Sequence, residues 1–254
     1  MDDLRDRLHI STVAESAEEL AMKHSLGLEI AEFCTAYNMD TDFDTWDGAV
    51  REKMRFAERF VFHAPFNELC PAAIDPLIIE VARKRYAQAY LLMDSYGIKK
   101  FVVHSGNVPM LYHDNWFAEH AIEFWKDFVS DKPADFSLYI ENLFEQSQSL
   151  LCEIVKGVAD ERVKLCLDIG HAALFSEDPS LAGWLRETGP HIGHVHLHNN
   201  DGQRDAHDAL GDGIINAAAV ISAIAETAPD ATFTIESIDA EASVNWMKQN
   251  GFIS

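Results

Sequence analysis

The sequence predicts a single (β/α)8 TIM barrel over residues 1–254. Short β-type runs alternate with helix-length segments from end to end, and the runs number eight. No linker rich in proline, glycine or serine divides the chain. Strands alternating with helices form βα units around a parallel sheet, and eight such units in about 250 residues favour a closed barrel over an open sheet. In order, the first strand is read at 7–12 with a helix at 16–24. The second strand, 28–34, leads to an Asp-rich stretch at 40–47 and a helix at 46–58. That stretch is expected to be a solvated loop, because its glycine and glutamate spacing does not suit a calcium loop. Strand three is read at 60–65, strand four at 100–105 and strand five at 137–142, with helices at 76–96, 115–128 and 144–158 after them. Strands six to eight, at 164–170, 193–198 and 232–237, precede helices at 180–187, 216–226 and 240–250.

Composition narrows the function. Of 254 residues, 48% are hydrophobic and 24% charged, ordinary values for a globular chain. The 20 Lys and Arg face 42 Asp and Glu, a net charge of −22. A surface so negative repels nucleic acid, whose binding depends on cationic side chains displacing counterions from phosphates. No apolar run approaches the roughly 18–20 residues of a membrane span, and the first residues do not read as a signal peptide. A cytoplasmic protein with no membrane partner is therefore expected. Cys34, Cys70, Cys152 and Cys166 form no CxxC pair and read as reduced thiols. The twelve histidines are the compositional oddity.

Catalytic groups of a TIM barrel stand at the C-terminal ends of its strands. Here strand three ends in Val61-Phe62-His63, strand four in Val102-Val103-His104 and strand five in Tyr139-Ile140-Glu141. Strand six ends in Asp168-Ile169-Gly170-His171, strand seven carries His194, His196 and His198, and strand eight ends in Thr234-Ile235-Glu236. Any one of these would be a structural histidine or a cap. Six consecutive strands finishing this way on one rim are most simply neutralised by divalent metal. Period two puts His194, His196 and His198 on one face. His194 is deepest, His196 is the expected ligand, and His198, nearest the loop, is a candidate for substrate contact. In Arg204-Asp205-Ala206-His207 the D-x-H triplet can deliver two further ligands. Arg204, the basic residue within these motifs, is the other candidate for substrate contact.

The order of these motifs resembles the xylose-isomerase-like barrels, a family that includes endonuclease IV and many sugar isomerases and epimerases. The resemblance to endonuclease IV implies nine ligands for three zinc-type ions. His63, His104 and Glu141 would share one ion. Asp168, His196 and Glu236, with Glu141 bridging, would hold a second, and His171, Asp205 and His207 a third. The epimerases of the family are similar to a subset, with one ion held by the counterparts of Glu141, Asp168, His196 and Glu236. Two departures argue against DNA repair. Asn142 is followed by Leu143-Phe144-Glu145-Gln146 rather than a glycine-containing run, and the loop between His196 and Asp205 is short and lacks basic gripping segments.

The chemistry this implies is isomerisation or epimerisation of a small sugar or sugar phosphate through an enediolate. Glu141 and Glu236 would act as the acid and base, as in the resembling epimerases, and the cofactor would be one to three ions of zinc, manganese or iron. The alternatives are a multi-zinc phosphohydrolase, which the full ligand complement favours, and a noncatalytic metal-binding protein.

Overall fold

The computed structural model describes residues 3–176 and 181–254. Eight parallel strands close in sequence order into one barrel. They are β1 (Leu8–Ser11), β2 (Gly27–Ile30), β3 (Phe60–His63), β4 (Lys100–His104), β5 (Ser137–Glu141), β6 (Val163–Asp168), β7 (Ile192–Leu197) and β8 (Thr232–Ile235). Around them, among the described residues, run α1 (Ala17–His24), α2 (Ala36–Asp40), α3 (Phe43–Lys53), α4 (Pro76–Ser95) and α5 (Asp114–Val129). The circuit is completed by α6 (Ser149–Val158), α7 (Ile169–Phe175), α8 (Ala182–Thr188), α9 (Ala217–Thr227) and α10 (Ala240–Gln249). The expected barrel is thus the observed one.

Successive strand residues point to opposite faces, so each strand serves two environments. One set packs against the helices in a continuous apolar layer that includes Ile10, Phe62, Phe101, Ile140, Leu167, Val195 and Phe233. Phe101 lies at its centre, with its ring stacked on Phe62 (5.9 Å between centroids) and on Phe128 of α5 (6.2 Å). The alternate set faces the barrel axis, where Val61, Val102, Tyr139 and Cys166 form a small separate apolar cluster. Above and beside that cluster, the interior is polar. Register aligns this polar set across neighbouring strands, pairing His104 with Glu141, Asp168 with His196, and His196 with Thr234.

Several elements depart from expectation for local reasons. The Asp-rich stretch is mostly helical: Asp40 ends α2, while Asp44 and Asp47 lie in α3. Two of its four charges are partnered, Asp40 by Arg85 (2.6 Å) and Asp47 by Arg51 and the Tyr96 hydroxyl. Strand six stops at Asp168 rather than continuing to Gly170, because the Asp168 carboxylate accepts the backbone N–H of His171 (2.7 Å) and caps α7. A Cβ on Gly170 would stand 1.9 Å from the His198 ring, so the helix start needs glycine to approach β7. The helix read at 144–158 begins only at Ser149, since the buried Glu145 carboxylate ties the preceding loop to Ser105 and to the N–H of Leu143. Residue 180, the expected start of another helix, lies outside the described residues, and α8 begins at Ala182.

Because Phe101 is fully buried between two aromatic neighbours, Phe101→Ala should lower unfolding free energy by about 3–5 kcal/mol. Urea denaturation followed by circular dichroism checks this.

Candidate metal centre

The axis-facing set converges at the C-terminal rim. Glu141, at the end of β5, is its hub. Glu141 Oε2 lies 3.5 Å from His63 Nε2 and 3.3 Å from His104 Nε2. Glu141 Oε1 lies 3.3 Å from His196 Nδ1 and 3.5 Å from His171 Nδ1. Across the rim, Glu236 Oε2 approaches the same His196 Nδ1 at 3.3 Å, and Asp168 Oδ2 lies 3.9 Å from it. A second cluster sits toward the loop, where Asp205 Oδ2 is 3.1 Å from His171 Nε2 and 3.3 Å from His207 Nε2.

Neighbouring groups fix these side chains. His63 Nδ1 donates to its neighbour's carbonyl, that of Ala64 (2.9 Å), which turns Nε2 toward Glu141. Phe66 stacks on the His104 ring at 4.2 Å. The Asn142 carboxamide brackets the Asp168 backbone, donating to its carbonyl and accepting its N–H, both at 2.9 Å. His207 is held in the left-handed region (φ 48°), where Nδ1 donates to the Glu236 carbonyl at 2.9 Å.

Electrostatics separates the carboxylates. Burial opposes ionisation of Glu141, yet His104 and His196 beside it hold its carboxyl well below the ordinary 4.5. Burial raises the Glu236 carboxyl above 4.5; His196 opposes this, and the charges of Glu29 and Glu141 add to it. His104 is pushed down to about 3, chiefly by burial. At His207 burial lowers the pKa, but Asp205, Glu236 and Asp168 outweigh it and raise the ring to about 9.

The residues fit a divalent ion on two grounds. Glu141 Oε2 and His196 Nδ1 are buried without a hydrogen-bond partner, although both point into the cluster. Ligand-type atoms also gather within 4.8 Å of one another in overlapping sets: His63, His104 and Glu141; Glu141, Asp168 and His171; and His171, His198, Asp205 and His207. Imidazole with carboxylate suits zinc, manganese or iron. The adjoining cavity is about 300 Å³, and none of the residues lining it is Lys or Arg.

All nine residues expected as ligands therefore lie at this rim, as do both expected acid–base residues. The two expected substrate contacts, His198 and Arg204, do not line the cavity. His198 is fully buried behind Asp168, with Nε2 3.0 Å from both its carboxylate oxygens, and its ring stacks on His207 at 3.9 Å. Arg204 is exposed, its Nε 3.8 Å from Asp201, and does not line the cavity. Sequence reading missed Glu29, which sits under His196 with Oε1 3.0 Å from Nε2. Alternation within Gly27-Leu28-Glu29-Ile30 was the available signal, because it turns a carboxylate toward the axis between two apolar residues facing the helices.

Fold and rim together define a (β/α)8 barrel whose C-terminal end gathers imidazoles and carboxylates. The chain belongs to the xylose isomerase-like TIM barrels, whose family model matches residues 13–250. It is 29% identical over 195 residues to the uncharacterized protein MJ1311 of Methanocaldococcus jannaschii. That match covers 72% of this chain and 65% of the relative, so the chain spans less than two thirds of the relative's length. Among solved structures it is similar to the TTHB071 protein from Thermus thermophilus soaked with ZnCl2 (TM-score 0.75, 22% identity, 96% of this chain and 98% of that one). It is also similar to a D-tagatose 3-epimerase-like protein (TM-score 0.77, 22% identity, 96% of each chain). A third similar structure is the D-psicose 3-epimerase from Clostridium cellulolyticum H10 with D-tagatose (TM-score 0.69, 16% identity, 90% and 83%). At these identities the structural likeness is one of fold.

The raised His207 gives a pH signature in the metal-free protein. Its folded pKa of about 9 exceeds the ordinary 6.5, so the charged ring's contribution is complete below about pH 6.5 and is lost as pH rises through 9. The urea midpoint of the metal-free protein should fall across that window, and fall less in His207→Gln.

Proposed function

We propose that this protein is a divalent-metal-dependent isomerase or epimerase of a small sugar or sugar phosphate, with Glu141 and Glu236 as its acid–base pair. One observation carries the reading: two carboxylates from β5 and β8 face a single imidazole nitrogen at 3.3 Å each, beside a small cavity, with their ionisation pushed apart. Paired titratable groups driven in opposite directions mark acid and base roles. A cavity of about 300 Å³ is at the small end of ligand sites, suited to a monosaccharide and not to a duplex. The epimerase names among the similar structures agree with this choice.

Glu141, Asp168, His196 and Glu236 would hold the central ion, which supplies Lewis acidity at a substrate carbonyl and hydroxyl when bound. The side chains do the rest. Glu141, kept ionised by its imidazole neighbours, takes the proton from the carbon beside the carbonyl, and the C–H electron pair passes into an enediolate. Glu236, whose proton affinity burial raises, returns a proton to that carbon from the opposite face, which inverts it. Val13, Ala31, Phe66 and Leu143 wall the cavity with apolar surface that keeps water from the exposed carbanion. His198 acts behind Asp168 rather than on substrate, and Arg204 is left without a role in this scheme.

The outer cluster of His171, Asp205 and His207 favours a second reading, phosphoester hydrolysis with two or three ions, because a one-ion epimerase does not need it. Ion count separates the two: three per chain, with phosphoester turnover abolished by His207→Ala, would favour hydrolysis. Under the primary reading, Glu141→Gln or Glu236→Gln should keep most of the bound metal. Turnover of an isomerisable ketose should drop by about 10²–10⁴-fold. Elemental analysis beside a ketose assay checks both, and full turnover in both variants with metal retained would end the proposal.

A further inference from the structure

Below the rim the barrel holds polar side chains that the proposed chemistry does not use. Barrel interiors are normally filled with branched apolar residues. Here Glu29 of β2 is fully buried in that space, and a carboxylate there needs donors. Three converge on it. Its Oε1 lies 3.0 Å from His196 Nε2, while its Oε2 lies 3.0 Å from His194 Nε2 and accepts the Thr234 hydroxyl at 2.5 Å.

Donor counting then places a hydrogen on each Nε2. An ionised carboxylate only accepts, so His196 carries a hydrogen on Nε2, which leaves Nδ1 as the nitrogen that can offer a lone pair to an ion. That Nδ1 is the buried atom without a hydrogen-bond partner, 3.3 Å from both Glu141 and Glu236. His194 obeys the same count. With Nε2 donating to Glu29, its Nδ1 accepts the Thr232 hydroxyl at 2.7 Å. Each ring is thus held at both nitrogens or held at one and aimed with the other.

We propose that Glu29 is a positioning residue that sets the tautomer and aim of His196, so that Nδ1 offers its lone pair to an ion at the rim. His194 and Thr234 stand behind Glu29 and lock its carboxylate plane. The inference deepens the metal reading proposed above and rests on it. Carboxylates that orient a ligating imidazole typically account for 10–100-fold in metal affinity.

The test uses full-length protein with 15N-labelled histidine, first without metal. Long-range 1H–15N correlation spectra should show His196 protonated at Nε2. In Glu29→Gln the carboxamide can offer only one acceptor oxygen to the two rings, so the His196 tautomer should shift or become mixed. Zn2+ affinity, read by competition with a chromogenic chelator, should fall about 10–100-fold. Thr234→Val leaves the contact between Glu29 and His196 intact and should keep the wild-type tautomer. Absence of a proton on Nε2 of His196 in the wild type overturns the proposal, and that measurement decides alone if Glu29→Gln does not fold. An unchanged tautomer and unchanged Zn2+ affinity in Glu29→Gln overturn it as well. Failure of the metal reading looks different: the wild type would bind no divalent ion while His196 still carried its proton on Nε2.

Discussion

The structure turns on a concentration of negative charge with few internal cations to offset it. Glu141, Asp168, Asp205 and Glu236 share one end of the barrel with Glu29 just beneath them, and the cavity there has no Lys or Arg in its walls. Isolated carboxylates cannot be buried at acceptable cost. Imidazoles meet that demand in part, each supplying a donor to an acid on one side, and the oxygens and nitrogens left over point at one another. A divalent ion would complete such a set.

That demand reaches back into the fold. Asp168 is at once the last residue of β6, the cap of α7 and a member of the rim. Asn142, just past β5, pins it, and His198, just past β7, presses on it through a gap that Gly170 leaves open. Displacing any of these would move the carboxylate relative to Glu141 and His196. The helix-facing aromatic layer around Phe101 supplies the rigidity against which such placement is held. Precision at the rim and packing of the shell are therefore one problem, solved by the same strands through their alternate faces.

Much of this was legible in the sequence, and the reasons are specific. The barrel could be read because eight short runs alternate with helical segments, and the rim because strand ends in a barrel share one face. His63, His104, Glu141 and Asp168 close their own strands, while Glu236 follows the last residue of β8, so attention to strand ends was enough to find them. Glu29 stayed hidden because it lies within β2, and the reading of that strand ran on to Cys34. His198 was placed one step too far out: β7 ends at Leu197, and the chain then turns inward behind Asp168. The aspartates at 40–47 looked like a loop because Asp40 and Asp47 are partnered by Arg85 and Tyr96, which sequence spacing does not reveal, while only the Asp47–Arg51 pair at i,i+4 was visible within the segment.

Proton transfer at carbon separates this account from a purely hydrolytic or storage role. The most direct measurement is to incubate the metal-loaded protein with a panel of free and phosphorylated ketoses in D2O and read each sugar by NMR. The account predicts deuterium at the carbon beside the carbonyl of at least one ketose, accompanied by its epimer or isomer and abolished by a chelator. A metal-loaded protein that leaves every ketose unexchanged while releasing alcohol from a phosphoester would contradict it.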